Sequence, residues 1–301
     1  MSLAVILPEH GATELRTRWP DEPRLYERRP GELEANVSAA MLNDHITTGC
    51  LPAAELAAVK APNPSLNPKA FMDDYGRTDA AKLQRLMEQG FTLRIGNLQR
   101  IIPYLAKLSK AIQYETGYSN YIHAFLTPGG QQGLRHHWDQ QMAVIVQLAG
   151  VKRWHLWRPT VEAPMRTHNE SFRVWKSGYI DNWESAGPDL SFDLKAGQSL
   201  LVPRGWVHNP HVPEGFGPSV HLTFAIRERT PIWLAEQLIA SAIEDPELRR
   251  IVRPEELCGP ALTRQLSAVR RVLIAYLERL DPKVLTETVR EAALTDLEYV
   301  T

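Results

Sequence analysis

The sequence predicts a mainly β core with helices, an α+β chain whose centre is an antiparallel barrel of the jelly-roll kind. Three observations lead there. Between residues 119 and 229, short apolar or β-branched runs follow one another across Gly and Pro turns without helical spacing between them. Before that stretch helix and strand patterns mix, and after it apolar residues recur at helical intervals. The expected division is an N-terminal helical and mixed region over 1–118 packing on the barrel, the barrel over 119–229, and a C-terminal helical unit over 230–301.

In the first region Asp79 caps a helix that carries Leu83 and Leu86 and that Gly90 stops. Residues 91–95 form a strand. Pro103 then opens a helix whose Tyr104, Leu105, Leu108, Ala111 and Ile112 share a packing face. The barrel strands are expected over 120–126, 142–148, 153–157, 199–202 and 219–226. In the last region Thr230-Pro231, Asp245-Pro246 and Asp281-Pro282 each place a capping residue before a first-turn proline. Leu266, Val269, Leu273, Tyr276, Leu277 and Leu280 line one apolar helix face. That face must cover either the chain's own barrel or a second copy, and a homodimer through this unit is expected.

The bulk numbers exclude several classes. With 301 residues, 44% hydrophobic and 23% charged, the chain has the make-up of a soluble globular protein with a large core. A net charge of -1, from 34 basic and 35 acidic residues, supplies no general drive toward nucleic acid or anionic lipid, so neither is expected as a partner. Residues 2–7 are apolar, but they are too few for a signal or a span and run into Pro8. Cys50 and Cys258 make no disulfide framework, which fits a reducing cytoplasm.

The chemistry concentrates in Gly133-Leu134-Arg135-His136-His137-Trp138-Asp139. In extended backbone, side chains two apart share a face, so His137 and Asp139 can meet one ion while His136 points away. Sixty-nine residues after Asp139, an apolar strand and the turn Pro203-Arg204-Gly205 lead to His208. Two neutral imidazoles and one carboxylate on one face of an octahedral ion are the ligand set of non-haem Fe(II) oxygenases, with three positions left for a bidentate co-substrate and O2. Taken alone, His-x-Asp is also what an ordinary strand with a surface histidine offers. Zinc accepts the same donors, although the His-Glu-x-x-His helix of zinc hydrolases is absent. Thirteen residues past Asp139, Lys152 opens the strand Lys152-Arg153-Trp154-His155-Leu156-Trp157. A cation inside a barrel needs a partner, and the C5 carboxylate of 2-oxoglutarate would be one, worth about 1.5 to 3 kcal/mol. By spacing alone, Lys152 reads as a strand-end lysine in water.

Thr127-Pro128-Gly129-Gly130, Gly133, His137-Trp138-Asp139, Gln147, Gly150, Lys152-Arg153-Trp154, Pro203-Arg204-Gly205-Trp206-Val207-His208 and Ser219-Val220-His221-Leu222-Thr223, with Gly90-Phe91-Thr92-Leu93 upstream, resemble the JmjC-type ribosomal oxygenases of the cupin superfamily. The resemblance runs over roughly residues 80–230. It implies a double-stranded β-helix (the cupin/JmjC jelly roll), Fe(II) at His137, Asp139 and His208, and Lys152 as anchor for 2-oxoglutarate. It also implies hydroxylation of a side chain, histidine or arginine, in a peptide or protein substrate. Asp139 stands where the histone-demethylating relatives commonly carry Glu, which favours hydroxylation.

Two departures qualify the match. His123 and Phe125 stand where the family tends to have Asn and Tyr, so hydrogen bonding to co-substrate or substrate is expected to differ. About seventy residues follow the barrel, enough for a helical dimerisation unit and too few to add a winged helix. A precursor peptide of a natural-product pathway is therefore as good a substrate expectation as a ribosomal protein. The rival classes are a non-oxidative metal cupin of the isomerase kind and an interaction protein with an inactive site.

Ser219, His221 and Thr223 alternate with Val220, Leu222 and Phe224, and either face could look inward. With the polar face inward, these three and His123 join Lys152 as candidate co-substrate-binding residues. His211 is expected to be structural, His155 carries no assigned role, and most barrel tryptophans are expected in the core. Residues 162–188, which include Arg166, His168, Arg173, Trp175, Lys176, Tyr179 and Trp183, suggest a polar-aromatic lid over the site.

Overall fold

Met142–Ala149 is apolar at every position except Gln147, and a strand of that composition is stable only when covered on both faces. In the computed structural model, which describes residues 3–165, 168 and 178–295, this strand lies inside the larger of two antiparallel sheets. In chain order the strands are β1 (Arg24–Glu27), β2 (Leu56–Val59), β3 (Thr92–Ile95), β4 (Asn120–Thr127), β5 (His137–Trp138), β6 (Met142–Ala149), β7 (Val151–Trp157), β8 (Leu190–Lys195), β9 (Gln198–Val202), β10 (Val207–His208) and β11 (Ser219–Ile226). The seven-stranded sheet runs β1-β9-β6-β11-β4-β3-β2, and the four-stranded sheet runs β5-β10-β7-β8. Two facing antiparallel sheets joined by crossing connections make the jelly roll that the strand pattern predicts and the double-stranded β-helix that the resemblance implies.

The pleat sorts β6 between two cores. Val144 and Val146 join a cluster with the N-terminal helices, whereas Ala143 and Ile145 pack between the sheets against Trp154, Leu200 and Val202. The N-terminal cluster draws on Leu3–Ile6, Glu9–Arg18, Ala39–Thr47, Ala80–Glu88 and Pro103–Thr116, so the N-terminal region and the larger sheet share one core. Asp79 caps Ala80–Glu88 by accepting from the Lys82 amide, and Pro103 occupies the first turn of its helix, both as expected.

β11 resolves the open question about its faces. Val220, Leu222, Phe224 and Ile226 enter the N-terminal core, which turns His221 and Thr223 toward the space between the sheets. On the outer face of the smaller sheet, Trp138, Trp157, Val207 and Trp183 form a third cluster. Trp183 reaches it from the helix Tyr179–Ala186, which interrupts the strand zone where no helix is expected from the sequence. Trp183 is thus a core residue. His168 and Tyr179 are the other described members of the suggested lid, and Arg166, Arg173, Trp175 and Lys176 lie outside the described residues.

The chain divides into two units, 1–227 and 228–301. The second consists of the helices Pro231–Ser241, Gly259–Arg279 and Thr286–Leu294 with short 3-10 turns between them. Thr230 caps the first by accepting from the Trp233 amide. Asp281-Pro282 opens a 3-10 turn, Pro282–Leu285, that runs into the last helix. Asp245-Pro246 departs from expectation and starts no helix. The Asp245 carboxylate accepts from the Glu247 amide, which closes a local turn instead of a first helical turn. Within this unit the Tyr276 hydroxyl donates to the Ser241 carbonyl at 2.8 Å, while Leu266 (63%), Val269 (39%) and Ile274 (48%) remain exposed.

Candidate functional site

The pairing of the two shortest strands sets the site. β5 and β10 lie antiparallel with His137 opposite His208 and Trp138 opposite Val207. Since Trp138 and Val207 are committed to the outer cluster, the pleat sends both histidines inward, and Asp139 follows on the same side as His137. The Gly205 amide donates to the Asp139 carbonyl at 2.8 Å, tying the turn before His208 to the strand end that carries Asp139. His137, Asp139 and His208 each present one ligand atom, and these lie within 4.8 Å of one another. His208 Nε2 is 3.8 Å from Asp139 Oδ2.

Both imidazoles are prepared for a metal. His137 Nδ1 lies 2.7 Å from the Arg135 carbonyl, and His208 Nδ1 lies 2.9 Å from the Trp206 carbonyl. A carbonyl only accepts, so each Nδ1 carries the proton and each Nε2 offers a lone pair. Burial and the neighbouring His137 push His208 down to about 4, which keeps it neutral. Two neutral nitrogens and one carboxylate on one side of a cavity could hold a divalent ion. His136 faces the other way, lodged between Trp157 and Trp183, with its Nε2 at 3.1 Å from Asn209 Nδ2.

The cavity between the sheets measures about 160 Å³, small enough that it admits small molecules or single side chains. Lys152 lies in its wall at 1% exposure. Its Nζ donates to Thr127 Oγ1 at 2.6 Å, and Thr127 also accepts from Thr92 Oγ1 at 3.0 Å. No carboxylate pairs with this ammonium among the described residues, and burial lowers its pKa to about 7. Beside it, His221 is stacked on Phe125 at 5.0 Å and set edge-on to Trp154 at 5.7 Å. Burial, then Lys152, hold His221 well below its ordinary value, and its Nδ1 is buried without a partner. The Trp154 Nε1 donor, which belongs to a cavity-lining side chain, is likewise buried and unpaired. Unmatched polar atoms around a small cavity containing a lysine are what a bound dianion would complete.

The other expected residues divide. His123 and Thr223 line the cavity, His123 with its Nδ1 accepting from the Asn97 amide at 3.2 Å. Burial and then Arg94 pull His123 down to about 4. Ser219 is buried outside the cavity lining, where its hydroxyl accepts from Gln147 Nε2 at 2.7 Å. His211 bridges to Arg153 and Gln132, a structural role as expected, and His155 packs on it at 5.1 Å. Thr92, Arg94, Tyr121, Thr127 and Trp154 also line the cavity or its lysine, and the sequence reading assigned them no role. For most of them a signal existed: Thr92 and Arg94 alternate with Leu93 and Ile95, as Tyr121 and His123 alternate with Ile122 and Ala124.

Comparison with known proteins agrees with this architecture. Residues 95–232 match the JmjC domain family. The chain is 29% identical over 223 residues to Ribosomal oxygenase 2 of Mus musculus, covering 70% of this chain and 45% of that protein. It is 28% identical over 159 residues to the bifunctional lysine-specific demethylase and histidyl-hydroxylase NO66 of Drosophila persimilis, covering 52% of this chain and 22% of that protein. The chain therefore spans less than half the length of these curated relatives. The X-ray structure of E. coli ycfD aligns with a TM-score of 0.50 at 12% identity, covering 89% of this chain and 68% of that one, a likeness of fold.

Proposed function

The chain is a JmjC-type, ribosomal oxygenase-like protein, and from that premise we propose that it is an Fe(II), 2-oxoglutarate-dependent oxygenase that hydroxylates a side chain of a peptide or protein. One observation carries the proposal: a buried ammonium with no carboxylate partner among the described residues shares a small cavity with a His-Asp-His donor set. An ammonium kept dry costs stability unless a ligand meets it, and the distal carboxylate of 2-oxoglutarate has the matching charge.

When bound, iron with 2-oxoglutarate and O2 supplies the oxidant for an unactivated C–H bond, leaving succinate and CO2. The chain's own residues do the rest. His137, Asp139 and His208 would hold the ion, with the carbonyls of Arg135 and Trp206 fixing the two imidazole tautomers. Lys152 and Thr127 would bind the distal carboxylate, while Trp154, Phe125 and His221 keep water from that end. A ribosomal protein and a biosynthetic precursor peptide both remain within the proposal, as do a homodimer formed through 230–301 and a reducing cytoplasm. The last accords with Cys50 and Cys258 being free and exposed, and no described helix is long and apolar enough to cross a membrane.

The test is anaerobic loading with Fe(II), followed by exposure to air and 2-oxoglutarate. Wild-type protein is expected to release succinate slowly even without a peptide, whereas His137→Ala, Asp139→Ala and His208→Ala lose both the iron and the succinate. Iron retained in full by any one of these variants removes that residue from the ligand set. Stoichiometric iron with no consumption of 2-oxoglutarate in the wild type would point to a non-oxidative metal cupin.

A further inference from the structure

Arg94 stands on β3, one pleat along from Thr92, and lines the same cavity as the His-Asp-His cluster. It sits opposite Phe125 in the register of β3 and β4. Its Nε is buried without an acceptor, and among the described residues no hydrogen bond or ion pair holds the guanidinium. The nearby carboxylate is Glu55, and it is engaged elsewhere: its Oε2 accepts from Asn97 Nδ2 at 2.8 Å, and its Oε1 lies 3.9 Å from Arg100. A buried guanidinium donor left unmatched is costly to keep unless something in the working protein meets it.

The charges of the cavity show what that something is. Its formally charged lining residues are Arg94, Asp139 and Lys152, the buried histidines being held neutral. In the oxygenase reading a divalent ion, its single carboxylate ligand, a dianionic co-substrate and Lys152 cancel. Among the described residues Arg94 is then the one lining charge left over. A second guanidinium, Arg227, lies over the Tyr121 ring at 4.9 Å. An arginine side chain entering there would meet like charge, and a histidine would leave the guanidinium unmatched.

We infer that the residue this protein modifies carries a carboxylate, an aspartate or glutamate of the substrate peptide, with Arg94 as its recognition group. The carboxylate accepts from the guanidinium, a pairing whose geometry favours two parallel hydrogen bonds. Hydroxylation itself follows the balance already given: one atom of O2 enters the C–H bond, the other leaves in succinate, and 2-oxoglutarate loses CO2. The assignment departs from the histidine or arginine that the family resemblance implies, and it rests on the oxygenase reading.

The experiment uses the full chain and a peptide library of seven residues, degenerate at six positions, with the central residue fixed in turn as Asp, Glu, Asn, His, Arg or Leu. Two signals are read: a gain of one oxygen by mass spectrometry with Fe(II), 2-oxoglutarate and O2, and equilibrium binding by calorimetry with Mn(II) and 2-oxoglutarate. Asp or Glu pools are expected to bind at least tenfold more tightly than His, Arg and Leu pools and to be the ones oxidised. Arg94→Gln is expected to erase that preference, and Arg94→Lys to restore part of it. Preference for His or Arg pools, or an equal loss across all pools in Arg94→Gln, overturns the assignment, the latter result making Arg94 a contact to the peptide backbone. Absence of succinate release in the wild type counts against the oxygenase instead, and the binding preference still decides the role of Arg94.

Discussion

Lys152 is the residue at which burial, charge and co-substrate recognition meet. Its folded pKa of about 7 lies below the ordinary 10.5, so between those values the unfolded chain binds the proton that the folded chain has lost. Stability should therefore rise with pH across that window, and the full cost of the buried charge is present below pH 7. Lys152→Met, which keeps the volume and removes the charge, is expected to raise stability at pH 7 by on the order of a few kcal/mol, read as a higher melting temperature, while abolishing 2-oxoglutarate binding. Binding has the opposite dependence: only the ammonium attracts the carboxylate, so affinity for 2-oxoglutarate should hold below pH 7 and weaken above it. Lys152→Arg stays charged throughout and should flatten that profile, as calorimetric titration at pH 6.5 and 8.5 can show; a wild-type profile that is itself flat would remove Lys152 as the anchor. At this scale the sequence was most informative where residue type and spacing coincide, as in His137-x-Asp139 and His208. Arg94, Thr92 and Trp154 were missed because a charge, a hydroxyl or an indole in a strand implies nothing until the opposite sheet shows which face is enclosed.

Among the elements, the long strands were legible and the short ones were not. β4, β6, β7, β9 and β11 carry enough apolar or alternating residues to declare a face, whereas β5 and β10 have two residues each and owe their pairing to the turns around them. β1 and β2 extend the larger sheet with four residues apiece, and β8 follows directly on the stretch suggested as a lid. The junction of β6 and β7 is the most demanding turn, because it delivers Lys152 to the wall. Gly150 adopts a φ of 69°, and a Cβ there would stand 2.2 Å from the Pro218 carbonyl oxygen, just before β11. Gly150→Ala must therefore move backbone as well as adopt a left-handed conformation, a cost of at least about 1 kcal/mol from the conformation alone. Expected are a lower melting temperature and weaker 2-oxoglutarate binding with iron affinity retained, since the ligand strands lie elsewhere. Equal melting temperatures would show that the turn is not under the constraint described.

For the whole molecule, the apolar period of the sequence changes near residue 230, and the chain divides into units 1–227 and 228–301, the first holding both the N-terminal region and the strands. The second unit buries little of its own apolar surface: Ala242 is its one fully buried hydrophobic residue among those described, while Leu266, Val269 and Ile274 are exposed on one helix. Sedimentation equilibrium is expected to give twice the chain mass, and the double variant Leu266→Glu, Val269→Glu to give the single mass with the iron site intact. A monomeric wild type at micromolar concentration would contradict the dimer.

The most direct test of the central claim, that one cavity joins a three-residue metal face to a lysine reserved for a dicarboxylate, is a crystal structure grown anaerobically with Mn(II) and 2-oxoglutarate. The expected result is an ion within about 2.0–2.3 Å of His137 Nε2, His208 Nε2 and an Asp139 oxygen, with the far carboxylate of 2-oxoglutarate in hydrogen-bonding reach of Lys152 Nζ. An ion closed off by four protein ligands, or a 2-oxoglutarate bound away from Lys152, would contradict it.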